Sequence, residues 1–120
     1  MSSVGQALPS KPHPRELTAL HAEVCQALAD PTRIAILYEL ADEPRNVSEL
    51  ADGLGMPQPA ISRHLKTLRE RGMVRAERAG AYTVYSLTDV RVIDALNTLR
   101  SVMASILAER GALATALAER

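Results

Sequence analysis

The chain has 120 residues, of which 47% are hydrophobic and 23% charged, and its 14 basic and 14 acidic side chains give no formal net charge. This length allows one domain with a core but is small for a complex enzyme, and the composition is that of a globular rather than a disordered protein. The sequence opens without a secretion signal, and no stretch approaches the roughly 18 apolar residues that span a bilayer, so we expect a cytoplasmic protein with no membrane partner.

Charge is unevenly distributed along the chain. Residues 58–78 carry six basic and two acidic side chains, whereas the other 99 residues carry eight basic and twelve acidic ones. A basic segment on a mildly acidic body favours an anionic partner that binds at that segment. A solvated charged surface is the alternative interpretation.

Two helices are predicted after a flexible, proline-containing arm over residues 1–14. Asp30 and Pro31 have the chemistry of an N-cap and a first-turn proline, and they predict the start of the second helix. The second helix, TRIAILYELA, is apolar on nearly all sides and is expected at the centre of the domain. The first helix is predicted from apolar residues at helical spacing: Leu17, Leu20, Val24 and Leu28.

Two short helices joined by a glycine-containing turn come next. Asn46 and Glu49 have the spacing of a capping box, which predicts a third helix that ends at Gly55. Pro59 suits the first turn of a fourth helix, whose stretch AISRHLKTLRERG has one apolar and one polar side. This arrangement is typical of a helix-turn-helix.

A hairpin and a long helix are predicted for the rest of the chain. The stretch MVRAERAGAYTVYSL indicates two short strands, and a basic hairpin directly after a recognition helix is a wing. Thr88 or Asp89 is expected to cap the final helix, and Gly111 to kink or end it. The apolar residues of this helix follow a heptad that only Arg110 interrupts: Val92, Leu96, Leu99, Met103, Ile106, Leu113 and Leu117. Such a stripe is wider than one small domain needs, and a symmetric partner is the simplest way to bury it.

Three segments resemble the ArsR/SmtB family of small dimeric winged-helix repressors, in order and in spacing: ALADPTRIAILYELA, NVSELADGLGMPQPAISRHLKTLRERGMV and RAGAYTVYSL. The likeness covers roughly residues 17–107. Together with the predicted elements, it indicates a mainly α fold with a small β-hairpin, in which a winged helix-turn-helix over residues 15–110 includes the dimerisation helices and is followed by a C-terminal helical extension over 111–120. It also implies a homodimer whose terminal helices form the interface, which places there Leu17, Leu20, Val24, Val92, Leu96, Leu99, Met103 and Ile106.

The fourth helix supports double-stranded DNA as the partner on physical grounds. A helix fits the major groove of DNA, where residues near its N-terminus reach base edges; glutamine pairs with adenine and arginine with guanine. The predicted contacts are Gln58, Ser62, Arg63 and His64 to base edges, Lys66, Thr67 and Arg69 to phosphates, and Arg75 and Arg78 to flanking backbone or a minor groove. Partial burial beside Leu65 and Leu68 is the alternative for His64.

Other function classes fit less well. A winged helix can dock proteins without nucleic acid, but such a module needs no basic recognition face. For an enzyme, the chain lacks a Ser/His/Asp set, paired carboxylates in a plausible cleft and a glycine-rich phosphate loop. The sequence therefore predicts a DNA-binding transcriptional regulator, a dimeric repressor on an inverted-repeat operator.

The effector is left open by the sequence. The resemblance implies metal or thiol control, but the third helix has no Cys-x-Cys pair, and Arg91 stands where a histidine ligand of the last helix is expected. The remaining candidates are His21 and Cys25, four residues apart on the first helix, with His13 in the arm. These three could hold zinc or a similar metal, or Cys25 could respond to oxidants. Against this, a lone cysteine is usually a small buried hydrophobe, so no cofactor is assigned.

Overall fold

The computed structural model describes residues 10–119, so most of the predicted arm lies outside the described residues. The chain divides into two compact units, one up to Thr88 and one that starts at Asp89. The assignment of the winged domain to residues 15–110, with an extension over 111–120, stays a prediction.

The first unit consists of helices and a small antiparallel sheet. Its helices are α1 (Pro14–Ala19), which continues as a π-helical segment (Leu20–Cys25), α2 (Pro31–Glu39), α3 (Val47–Leu54) and α4 (Gln58–Glu70). Its strands are β1 (Arg45–Asn46), β2 (Val74–Ala79) and β3 (Tyr82–Leu87), in the order β1-β3-β2. The winged helix-turn-helix is confirmed, and the predicted hairpin gains a third strand because β1 pairs with β3.

The core of the first unit lies where α2, α3 and α4 meet. Each of these helices buries its apolar side, and the largest fully buried side chains are Ile36, Leu37, Leu50, Ile61, Leu65 and Leu68. The central position predicted for the second helix is therefore confirmed. Burial of this stripe on α4 leaves the other side of that helix for a different role.

Local chemistry sets the helix ends as predicted. The side chain of Asp30 accepts the backbone N–H groups of Thr32 at 2.8 Å and Arg33 at 3.2 Å at the start of α2. Asn46 and Glu49 form the expected capping box, with both bonds at 2.9 Å. Gly55 ends α3 at a φ of 62°, in the left-handed region that favours glycine. The turn between α3 and α4 is consequently short and well defined.

Replacing Asp30 with alanine is expected to lower the free energy of unfolding by about 0.5–2 kcal/mol, because two backbone N–H groups lose their acceptor. The matched control is Asp30→Asn, which keeps an oxygen acceptor and should retain most of the stability at neutral pH. Urea unfolding of the three proteins at pH 7 measures the difference. Equal stability of Asp30→Ala and the wild type would contradict the role of this cap.

The same residue gives the stability a pH dependence of known sign. Burial raises the pKa of Asp30, but the backbone hydrogen bonds from Arg33 and Thr32 and the neighbouring His64 and Arg33 side chains outweigh it, so the pKa lies below its ordinary 3.8. The stabilisation is therefore fully present above the unfolded-state pKa and is lost as the pH falls below it. The gap in stability between wild type and Asp30→Asn should narrow on acidification below about pH 4.

The second unit is one long helix, α5 (Arg91–Ala118). Its N-cap is Val90, which forms no side-chain cap, so the expected cap at Thr88 or Asp89 is wrong. The Asp89 carboxylate, one residue earlier, accepts the backbone N–H of Arg91 at 2.9 Å. Its hydrogen bond to the Arg91 guanidinium, at 2.7 Å, is the main cause that lowers the pKa of Asp89 to about 2. The helix continues through Gly111, so the expected end at that residue is wrong.

Much of the predicted heptad on α5 is exposed. Leu96 is buried and Val92 half-buried, whereas Leu99, Met103 and Ile106 are 60%, 55% and 44% exposed. The stripe continues with further large hydrophobic residues, each about half exposed or more: Leu107, Leu113 and Leu117. This helix therefore carries a stripe of exposed apolar side chains.

By length and composition alone, α5 is also apolar enough to cross a membrane, with a mean hydropathy of 1.2 over an 18-residue window. This corrects the expectation that no stretch approaches that limit, which overlooked how far the many alanines of the helix add to its apolar character. A single helix of this kind is weak evidence for a membrane span, because the core helix of a soluble protein also meets the criteria of length and composition. Charged residues recur along this helix at Asp94, Arg100, Glu109 and Arg110.

Candidate nucleic-acid interface

The side of α4 opposite its buried stripe forms the candidate site. We call it the α4 polar face, and it consists of five exposed residues: Gln58, Ser62, Arg63, Lys66 and Arg69. Within residues 10–119, the ion pairs involve other side chains, and none of the three cations of this face takes part in one. Their positive charge is therefore available to an anion outside the chain.

Two open grooves separate the α4 polar face from the hairpin of β2 and β3. One, of about 520 Å³, lies between α4 and β3, with Ser62, Lys66, Arg69 and Tyr85 among its lining residues. The other, of about 380 Å³, brings Ser48 and Gln58 together with Arg78 and Tyr82 of the hairpin. The fourth helix and the wing thus share one polar surface with cations at several points.

Gln58 is the first residue of α4 and is bonded to the preceding helix. Its Nε2 donates a hydrogen bond to the Oγ of Ser48 on α3 at 3.0 Å. Thr67, in contrast, turns back on its own helix, because its hydroxyl donates to the carbonyl oxygen of Arg63 at 3.4 Å. The predicted phosphate contact at Thr67 therefore competes with an intrahelical bond.

His64 faces the start of α2 rather than the α4 polar face. Its Nε2 lies 4.0 Å from Oδ1 of Asp30, and its Nδ1 lies 3.5 Å from Nη1 of Arg33. Its side chain is 22% exposed. The geometry therefore favours partial burial over the predicted base contact, although the polar partners are Asp30 and Arg33 at the start of α2.

The two predicted arginines of the wing differ in their surroundings. Arg75 is exposed, and its guanidinium donates to the carbonyl oxygen of Thr88 at 3.5 Å. Arg78 is exposed near the tip of the hairpin, opposite Thr83 in the β2–β3 register. Only Arg78 is therefore unrestrained by a hydrogen bond within the described residues.

Two polar residues of this surface were missed by the sequence analysis. Tyr82 is 60% exposed beside the hairpin tip, and the sequence analysis assigned its stretch only to a strand. Ser48 precedes Gln58 by ten residues, so their contact has no local sequence signal. The signal that was present is the helix-turn-helix itself, because its short turn brings the two helices together.

The fold does not bring the candidate metal ligands His13 and His21 close together. His13 accepts the backbone N–H of Arg15 at 3.0 Å and caps α1, and about 12 Å of helix rise separates it from His21. His21 instead contacts the amide of Gln26 at 3.4 Å. Across residues 10–119, no three His, Cys, Asp or Glu side chains form a potential metal site.

Cys25 lies at the end of the π-helical segment, and its side chain is exposed. The alternative of a small buried thiol therefore does not hold for the described single chain. Sensing through His21 and Cys25 stays a prediction.

A family model described as bacterial regulatory protein, arsR family, matches residues 30–76, which run from the cap of α2 into β2. Among curated relatives, the HTH-type transcriptional repressor SmtB of Mycobacterium tuberculosis is 46% identical over 78 residues, which are 65% of this chain and 58% of SmtB. The match thus spans less than two thirds of that relative. The HTH-type transcriptional regulator NmtR of the same species is 42% identical over 93 residues, 78% of each chain.

Solved structures share the fold over a similar length. The crystal structure of M. tuberculosis Rv0081 superposes with a TM-score of 0.70 at 35% identity, over 82% of this chain and 98% of that one. The solution structure of the homodimeric winged helix-turn-helix DNA-binding domain of Mb0332 from Mycobacterium bovis gives 0.67 at 29% identity, over 82% and 94% of the two chains.

Proposed function

This chain belongs to the ArsR family of bacterial regulatory proteins, and we propose that it is a sequence-specific transcriptional repressor that binds an inverted-repeat operator as a homodimer. We propose further that it acts in the cytoplasm and has no catalytic activity. The observation that carries the proposal is the α4 polar face, which combines exposed side chains capable of hydrogen bonding to base edges with three cations that have no acidic partner in the described chain.

The order of residues on this face fits the two tasks of a recognition helix. Gln58, Ser62 and Arg63 lie in its N-terminal half, the part that reaches base edges when a helix enters the major groove. Lys66 and Arg69 follow one to two turns later, where contacts to phosphate fix the register without reading sequence. The face can thus provide both specificity and affinity.

The wing extends the same surface beyond α4. Arg78 near the hairpin tip has no hydrogen-bond or ion-pair partner within residues 10–119, and it lines the same groove as Gln58. A cation in this position is suited to flanking backbone or to a narrow minor groove, which attracts arginine through its negative potential. The overall charge of zero is no obstacle, because the local excess of positive charge acts within a Debye length of about 8–10 Å.

The homodimer accounts for the exposed apolar residues on the first and the last helix of the chain. Besides the stripe on α5, helix α1 exposes Leu17 at 48%, and Leu20 directly after it is 47% exposed. Large contiguous apolar patches are uncommon on the surface of monomers, and they mark sites that a partner covers. A two-fold symmetric dimer requires an inverted repeat with half-site centres about one helical turn, or a multiple of it, apart.

The test is a gel-shift titration with duplexes selected from a randomised pool, together with the variant Lys66→Ala. We expect this variant to weaken binding to selected and scrambled duplexes alike and to reduce the slope of log K against log[salt] by about 1, because one phosphate contact is lost. Lys11→Ala, which removes the same charge from an exposed position before α1, is the matched control. Wild-type protein that selects no duplex would contradict the function, and a Lys66→Ala effect at a single base pair would contradict the phosphate role.

A further inference from the structure

We infer that Ser48 on α3 is a positioning residue that orients the side-chain amide of Gln58 for reading one adenine in each half-site. This inference rests on the proposed function, because it concerns how the α4 polar face reads DNA. It adds a residue outside the recognition helix to the determinants of specificity.

The contact joins the starts of the two helices of the helix-turn-helix. Gln58 Nε2 donates to Ser48 Oγ at 3.0 Å, which is a normal length for such a bond. Gln58 is exposed, and a glutamine side chain has three rotatable bonds, so an unheld amide at this position would sample several orientations. The Ser48 hydroxyl restricts that freedom before DNA arrives.

The two helices that carry this pair are fixed relative to each other. Ser48 lies in the first turn of α3, inside the capping box formed by Asn46 and Glu49. Leu50 on α3 and Ile61 on α4 are fully buried within two or three residues of the pair. Both partners are therefore attached to rigid elements, which is what a residue that positions another side chain requires.

The orientation has a defined chemical consequence for base readout. With one N–H bonded to Ser48, the Gln58 amide presents its second N–H and its carbonyl oxygen, one donor beside one acceptor. Adenine offers the complementary pair in the major groove, because N7 accepts and the N6 amino group donates. Guanine offers two acceptors there, N7 and O6, so the held amide discriminates between the two purines.

The experiment measures base preference rather than affinity alone. A duplex selected from a randomised pool by the wild type is substituted at each position in turn, and binding is measured for the wild type, Gln58→Ala, Ser48→Ala and Ser48→Thr. We expect Ser48→Ala to reduce the preference for adenine about three- to tenfold, at the same position as Gln58→Ala does, because the amide must now be immobilised on binding. Ser48→Thr keeps the hydroxyl and should restore the preference.

A double variant and a matched control complete the design. Ser48→Ala combined with Gln58→Ala should match Gln58→Ala alone, because Ser48 acts through Gln58. Ser101→Ala, the same change at an exposed position of α5, should leave every preference unchanged. Thermal unfolding verifies that each variant is folded.

The outcomes separate this inference from the proposed function. If Ser48→Ala weakens all duplexes equally, or alters a position that Gln58→Ala does not, the positioning role is overturned while the repressor function stands. If Gln58→Ala leaves every base preference intact, Gln58 does not read a base, and the positioning role of Ser48 is overturned as well. Selection of no duplex by the wild type overturns both.

Discussion

Changing Leu99 and Met103 to glutamate is expected to convert the homodimer to a monomer and to weaken operator binding by about 10²- to 10⁴-fold, the range by which linking two sites exceeds single-site affinity. Both side chains are more than half exposed in the described single chain, at 60% and 55%. A two-fold interface would bring four new carboxylates into an apolar contact, where unpaired charges are strongly unfavourable. The monomer would retain one recognition helix for one half-site.

The exposure of Leu99 and Met103 allows loss of the dimer to be distinguished from unfolding of the monomer. Since neither side chain is buried in the single chain, the glutamates should change the stability of the monomer itself by no more than about 0.5 kcal/mol. The matched control is Ser101→Glu with Ala108→Glu, which adds the same charge to α5 at positions away from the stripe. This control should remain a dimer with wild-type affinity.

Sedimentation at micromolar concentration measures the oligomeric state, and gel shift with the selected duplex measures affinity. A wild-type protein that sediments as a monomer would contradict the proposed dimer. Dimers of Leu99→Glu/Met103→Glu would instead place the interface away from this stripe.

The starts of α2 and α3 were predictable from the sequence because their determinants are local. Asp30 and Pro31 start α2, and the pair Asn46 and Glu49 starts α3, through bonds that span three residues or fewer. The third strand was not predictable, because two residues are too few to show a period. Arg45 and Asn46 are extended through their pairing with β3, which is distant in sequence.

Two features of the helices were missed for energetic reasons. Glycine inside a helix is unfavourable by only about 1 kcal/mol, so Gly111 does not end a helix of 28 residues. The π-helical segment after α1 differs from an α-helix by one residue in its hydrogen-bond spacing, and the apolar pattern of this stretch is compatible with either. His21 accordingly contacts Gln26, five residues on.

For the candidate site, the sequence predicted which residue types lie on α4 but not the direction in which each side chain points. The sequence identified α4 as the polar, basic helix, but an intrahelical bond engages Thr67, and Asp30 and Arg33 draw His64 toward α2. Ser48 lay outside the predicted set because its contact with Gln58 depends on how α3 and α4 pack. Helical periodicity predicts which side of a helix is polar, whereas contacts with other elements determine which hydrogen bonds and ion pairs each side chain forms.

Arg63→Ala is expected to weaken binding to the selected duplex by roughly 1–3 kcal/mol and to relax selection at one base pair in each half-site, because a bidentate contact to guanine is lost. Arg63 is exposed on the α4 polar face and, within residues 10–119, takes part in no ion pair, so its guanidinium needs no rearrangement before it meets a base.

Arg63→Lys is the sharpest control for this prediction, because it retains the charge but not the planar fork that contacts two acceptors at once. Binding to scrambled duplexes should be nearly unchanged in Arg63→Lys and should fall in Arg63→Ala, while both variants lose discrimination at the same base pair. Competition gel shifts with each single-base substitution measure the two quantities separately. Wild-type discrimination in Arg63→Ala would show that α4 does not read DNA through this residue, and wild-type discrimination in Arg63→Lys would reduce its role to charge alone.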